Sequence, residues 1–287
     1  MTKKQKSKSK SKSKSKATSK SKSKSKATSK STQPSARALG SSAPTLVAYE
    51  PGRLAINRAL VVVAHPDDVD FGSAGTVARL TSEGVQVSYC LVTSGDAGGD
   101  TSRATPEERA VTREAEQRAA AAELGVHELT FLHFADGRVE VTLELRRAIA
   151  RVIRQRRPDL VICQSPERNY ERIFASHPDH LAAGEATLRA VYPDARNPHS
   201  FPELLAEGLE PHAVATVWLA GSSDATMFVD ITKTFERKVA ALRRHVSQVG
   251  GREDLDETVR HWASSAAARA GLGKKRLAET FRVITTA

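Results

Sequence analysis

From residue 59 onward the sequence predicts an α/β protein with a Rossmann-like, doubly wound and mainly parallel sheet. Three observations carry this expectation. Short apolar runs alternate with longer segments of helical period. The first run, "ALVVVA" (59–64), is apolar throughout, as in a parallel strand covered on both faces. The early runs also each end in a polar loop, so those loops fall together beyond the carboxyl ends of the strands.

The elements follow in order. After "ALVVVA", "SAGTVARLTSEG" (73–84) reads as a helix stopped by Gly84, and "VQVSYCLVT" (85–93) as the second strand. The segment 105–125 is a helix with Pro106 in its first turn, Glu107 and Glu108 close behind, and Gly125 as its stop. A strand at 128–134, a helix at 142–157, a strand at 159–164 and a helix over 176–192 continue the alternation. Beyond residue 193 the pattern weakens. Strands are expected at 216–220 and 227–231, then a helix over 232–249 capped by Thr232 or Thr234. A helix at 259–271 and a strand at 280–285 close the chain.

The net charge of +11 suggests a polyanion partner at first sight, but its distribution does not. Residues 1–37 carry thirteen Lys, Arg37 and no acidic residue, which leaves −3 for residues 38–287. Within that tail "SKSKSKATSK" occurs twice, at 11–20 and 21–30. It has no apolar periodicity, and its lysines repel one another, so disorder is expected, with non-specific polyanion contact compatible with it. Residues 1–50 therefore read as tail and linker, and 51–287 as one α/β domain. The tail lacks the apolar segment of a secretory signal, and no window approaches the roughly 20 apolar residues of a membrane span. Cys90 and Cys163 sit in apolar strand-like runs, as reduced core residues would in a cytoplasmic protein.

The chemistry concentrates where strands end. A dinucleotide fingerprint would place glycines directly after the first strand; here that position reads "HPDDVDFGSAG", whose aspartates repel a diphosphate. A divalent metal fits better. His65 and Asp68 are three apart on a turn stiffened by Pro66, and Asp67 must project away from Asp68. In "SHPDH", His177 and His180 are three apart at a helix start and can share a face. A His/Asp/His set with an open position suits zinc, and its mixed donors also admit iron or another divalent ion. His133 reads as a core or rim histidine; His127, His199, His212 and His261 have no partner pattern.

"AHPDD" followed about 110 residues later by "HPDH" resembles the LmbE/PIG-L family of zinc-dependent N-acetylglucosaminyl deacetylases and related amidases. The resemblance runs from about residue 57 to 249 and takes in "YPDARNP" and "FPELLAEGLEP". It implies an LmbE-like fold, with His65, Asp68 and His180 as zinc ligands and Asp67 as general base. It also implies that His177 stabilises the oxyanion or protonates the leaving amine, and that Arg113 and Asp136 contact substrate. Two departures stand out: Val69 occupies the place of a third acidic residue, with Asp70 one step on, and Ala175 replaces the Tyr of the mycothiol-biosynthesis branch. The implied activity is metal-dependent removal of acetyl from an N-acetylated amino sugar or related small molecule. An amidase acting on a larger conjugate, and an inactive metal-binding domain tethered by its tail, are the alternatives. An oligomer is compatible with all three.

Overall fold

The run at 59–64 becomes an interior strand, third from one edge of an eight-stranded sheet, in the computed structural model, which describes residues 46–99, 104–170, 173 and 176–286. The Lys/Ser tail, with its expected polyanion contact, and Ala175 lie outside the described residues. In chain order the elements are β1 (Val47–Ala48), β2 (Arg58–Val63), α1 (Asp68–Gly72), α2 (Ala74–Ser82), β3 (Gln86–Thr93), α3 (Pro106–Glu123), β4 (Glu128–Phe134), α4 (Leu143–Arg156) and β5 (Leu160–Gln164). Then come α5 (Pro178–Arg189), α6 (Pro202–Ala206), β6 (Thr216–Ala220), β7 (Met227–Asp230), α7 (Phe235–Leu242), α8 (Val246–Val249), α9 (Leu255–Arg269) and β8 (Ala278–Thr285).

The strand order is β1-β7-β8-β6-β5-β2-β3-β4, and every pairing is parallel except those of β8 with β6 and β7. Each strand feeds both faces. Ala59, Val61 and Val63 of β2 join the core beneath α1, α2, α3 and α7, while Leu60 and Val62 join the one beneath α4 and α5. Continuous apolar sequence is the direct result of this two-sided burial. Local chemistry sets the helix starts: Thr105 and Glu108 form a reciprocal capping box at α3, and Thr142 accepts the N–H of Leu145 at α4.

Three details differ from the sequence reading. The sheet begins at Val47, so its first strand lies within the stretch read as linker, where Tyr49 is also buried. The helix expected over 232–249 breaks into α7 and α8, because His245 leaves helical geometry (φ −83°, ψ 59°). Thr234 precedes α7 without a capping bond, and its hydroxyl instead donates to Gly75 O at 2.7 Å. Both cysteines are buried and free. Among the described residues no helix is long and apolar enough to cross a membrane.

Candidate active site

The chain leaves β2 into a turn that its own polar groups hold. Asp68 Oδ2 accepts the backbone N–H of His65 at 2.7 Å, and Gln164 Oε1 of β5 accepts that of Ala64 at 3.0 Å. Between them Asp67 adopts φ 91°, a left-handed conformation uncommon outside glycine and better tolerated by Asp and Asn than by most residues. Its N–H donates to Gln117 Oε1 at 2.8 Å. Arg113, buried on α3, lies across the turn and donates to Pro66 O at 2.6 Å, Gly95 O at 3.1 Å and Asp67 Oδ2 at 3.2 Å. The glycines of "TSGDAGGD" make room for it. A Cβ at Gly95 or Gly98 would lie 2.4 or 2.5 Å from Arg113 Nη1.

His65, Asp68 and His180 bring two ring nitrogens and the two oxygens of one carboxylate together. His65 Nδ1 is 3.2 Å from His180 Nε2 and 3.4 Å from Asp68 Oδ2, and His180 Nε2 is 3.0 Å from Asp68 Oδ1. A tetrahedral zinc site with bonds of about 2.0–2.1 Å has edges of about 3.3 Å, so these atoms already stand at ligand spacing.

Behind His65 the second ring nitrogen is gripped as well. Nε2 lies 3.0 Å from Asp136 Oδ1 and 3.2 Å from Asp179 Oδ2. Among the described residues, two groups of three with donor atoms within 4.8 Å of one another share His65: one with His177 and His180, the other with Asp136 and Asp179. The two aspartates face Nε2, across the ring from the nitrogen that meets Asp68 and His180, and backbone amides hold them there. Asp179 accepts from Gly137 at 2.7 Å and Val139 at 3.3 Å, and Asp136 accepts from Ala97 at 2.9 Å. They form a carboxylate–histidine pairing that leaves Nδ1 facing Asp68 and His180. Asp179→Asn is expected to weaken metal affinity by roughly 10–100-fold, read by titration of the stripped protein with zinc; unchanged affinity would remove Asp179 from the pairing.

The electrostatics divide the groups. Burial disfavours a charged His65 ring, yet its hydrogen bonds to Asp136, Asp179 and Asp68 outweigh it and raise its pKa to about 12. A metal at Nδ1 would displace a proton there. Burial likewise works against ionisation of Asp68, but His180 and His65 hold its carboxyl well below the usual range. Asp67 goes the other way: burial and the charge of Asp68 push it up to about 7 against Arg113, His245 and His65. Adjacent carboxyls are thus driven apart, one kept as an anion and the other able to take a proton. Burial and the neighbouring His65 and His180 lower His177. Its Nδ1 accepts the N–H of Asp179 at 3.2 Å, so a neutral ring carries its proton on Nε2, free to donate.

Residues 60–191 match the family model described as PIG-L, GlcNAc-PI de-N-acetylase. The chain is 35% identical over 193 residues to the diacetylchitobiose deacetylase of Thermococcus kodakarensis, covering 67% of this chain and 70% of that protein. This chain belongs to the PIG-L family. It is also 30% identical over 246 residues to the 1D-myo-inositol 2-acetamido-2-deoxy-alpha-D-glucopyranoside deacetylase of Rhodococcus erythropolis, covering 67% of this chain and 81% of that one. Among solved structures, N,N'-diacetylchitobiose deacetylase from Pyrococcus horikoshii superposes with a TM-score of 0.74 at 29% identity, over 80% of this chain and 85% of that chain.

Within this PIG-L fold all seven residues singled out in the sequence lie around the turn after β2. Arg113 bonds the turn and the Gly95 loop through its two terminal nitrogens, while its Nε has no partner among the described residues, and Asp136 bonds Ala97 and faces His65. Sequence reasoning missed Asp179, Gln117 and His245. Asp179 was visible inside "HPDH", but His245 and Gln117 carry no local signal. Val69 is buried in the core, and Asp70 turns inward to His245 and Gln117. His133 sits on the rim at a β-bulge with φ 58°, where Nδ1 lies 3.1 Å from Ser94 Oγ.

Proposed function

We propose that this chain is a metal-dependent N-deacetylase that hydrolyses the acetamide of an N-acetylated amino sugar, with zinc or a similar divalent ion held by His65, Asp68 and His180. The observation that carries this reading is a half-buried, protonatable Asp67 adjacent to three residues whose donor atoms stand at ligand spacing. The named activities of the related proteins support the substrate class.

A bound divalent ion supplies Lewis acidity toward the amide carbonyl and acidifies water toward a pKa of about 7. The chain's own residues do the rest. Asp67 accepts the proton of the attacking water at a carboxylate oxygen, while Arg113 holds its other oxygen and Gln117 its backbone in place. His177 donates from Nε2 to the negative charge that develops on the acetamide oxygen, or delivers its proton to the departing amine. Asp136 and Asp179 keep the His65 ring from rotating. Arg113 and Asp136 contribute by setting this geometry, so their link to substrate runs through Asp67 and His65. The free, buried Cys90 and Cys163 support a reducing, cytoplasmic setting.

The test uses the full chain, chelator-stripped or reloaded with zinc or iron, and follows free amine from N,N'-diacetylchitobiose and a panel of other N-acetylated sugars. Amine release is expected only after reloading. Equal turnover by the stripped protein overturns the metal assignment.

A further inference from the structure

A second polar chain leads from Asp67 away from the metal ligands. Gln117 Oε1 accepts the Asp67 N–H at 2.8 Å, while its Nε2 donates to Asp70 Oδ2 at 2.9 Å; the same oxygen lies 2.8 Å from His245 Nε2. Gln117, Asp70 and His245 come from α3, α1 and the residue before α8, and all three are fully buried. Each hydrogen bond left unmade in such a place is costly, and Gln117 has both of its amide atoms bonded, whereas Asp70 Oδ1 and His245 Nδ1 have no partner among the described residues, so the Gln117 amide has one low-energy arrangement.

That arrangement has a direction. A carboxylate offers only acceptors, so Gln117 must turn its NH₂ group to Asp70 and its carbonyl to Asp67. The amide cannot flip without facing the Asp67 N–H with another donor. His245 in turn fixes Asp70, and its own segment is anchored to α3, where Glu116 accepts from both the backbone N–H and the hydroxyl of Ser247. The last recipient is the one residue of the turn held at φ 91°. Left-handed geometry at a non-glycine persists only where its surroundings over-determine it.

We propose that Gln117, Asp70 and His245 are positioning residues that lock the Asp67 backbone in its left-handed turn and so aim its carboxylate. This rests on the reading of Asp67 as the base. It extends the working site to residue 245, well beyond residues 60–191 that match the family model.

The test compares Gln117→Met, Gln117→Glu and the double variant Gln117→Glu/Asp70→Asn with wild type and Asp67→Asn, all zinc-loaded full chains assayed on N,N'-diacetylchitobiose. Met keeps the length of Gln without its hydrogen bonds. Glu at 117 sets two carboxylates face to face, and Asn at 70 relieves them by offering an N–H. Both single variants are expected to lose kcat by about 10-fold or more, with KM and zinc content near wild type, as for a base displaced by a fraction of an ångström. The double variant is expected to recover most of that loss. A role in stability alone would lower the melting temperature without this kcat-against-KM split or the rescue. Wild-type kcat in Gln117→Met, or a loss confined to KM or zinc content, overturns the relay while Asp67→Asn remains inactive. Full activity in Asp67→Asn overturns the base assignment, and the relay with it.

Discussion

Asp67→Asn is expected to lower kcat by about 10³-fold while zinc content, KM and folding stay close to wild type. The substitution removes one thing. Asn tolerates left-handed geometry as well as Asp does, so the turn at φ 91° keeps its shape. Its backbone N–H still reaches Gln117, and Arg113 keeps the carbonyls of Pro66 and Gly95. His65, Asp68 and His180 are untouched. Only the oxygen able to accept a proton is gone, and general-base catalysis is typically worth about 10²–10⁴ in rate. Steady-state kinetics beside metal analysis decide the matter. A kcat within tenfold of wild type would falsify the assignment, and loss of zinc would relocate the role of Asp67 to the metal.

Gly184→Ala is expected to lower kcat/KM by about 10²-fold and to weaken metal binding, although residue 184 touches neither substrate nor ligand. Gly184 lies one turn beyond His180 on α5, where the helix meets the end of β5. An added Cβ would lie 2.3 Å from Gln164 O and 3.2 Å from Gln164 C and Pro166 N. Those atoms are backbone, so the helix must retreat instead, by about 1 Å, at a cost of roughly 1–3 kcal/mol. His180 moves with it, away from His65 Nδ1 and Asp68 Oδ1, now 3.2 and 3.0 Å from its Nε2. Zinc titration of the stripped variant, its melting temperature and kcat/KM should all fall together. Normal zinc affinity in a destabilised variant would show that α5 yields without carrying His180.

These expectations separate what the sequence displayed from what it concealed. The strands were legible because a sheet covered on both faces writes burial as unbroken apolar runs, as in β2, β5 and β6. The cluster of His65, Asp68 and His180 was legible because "HPDD" places two of these groups within one turn and "HPDH" carries the third. Gln117 and His245 stayed hidden for the opposite reason. Their partners lie 47 to 175 positions away, and a lone Gln in α3 or His in a helical segment has the pattern of a surface residue. The break before α8 was hidden with them, since what draws His245 out of helical geometry is a buried carboxylate on another element. Val69 and Asp70 follow the same logic. Neighbours in a helical turn diverge in direction, so the acidic residue, one step along, faces α3 and α8 while Val69 enters the core.

The antiparallel strand β8 has a consequence for synthesis. It lies between β6 and β7, so β7 and β1 meet the rest of the sheet only through it. Its residue Glu279 also accepts the backbone N–H groups of Gly75 and Thr76 at the start of α2 and pairs with Lys238. As the chain emerges from the ribosome, β2 to β6 can line up side by side while one flank waits open. Closing it falls to residues 278–285, made after all of those strands. A nascent chain stalled short of them therefore exposes an unpaired edge of β6, a template for pairing with other chains.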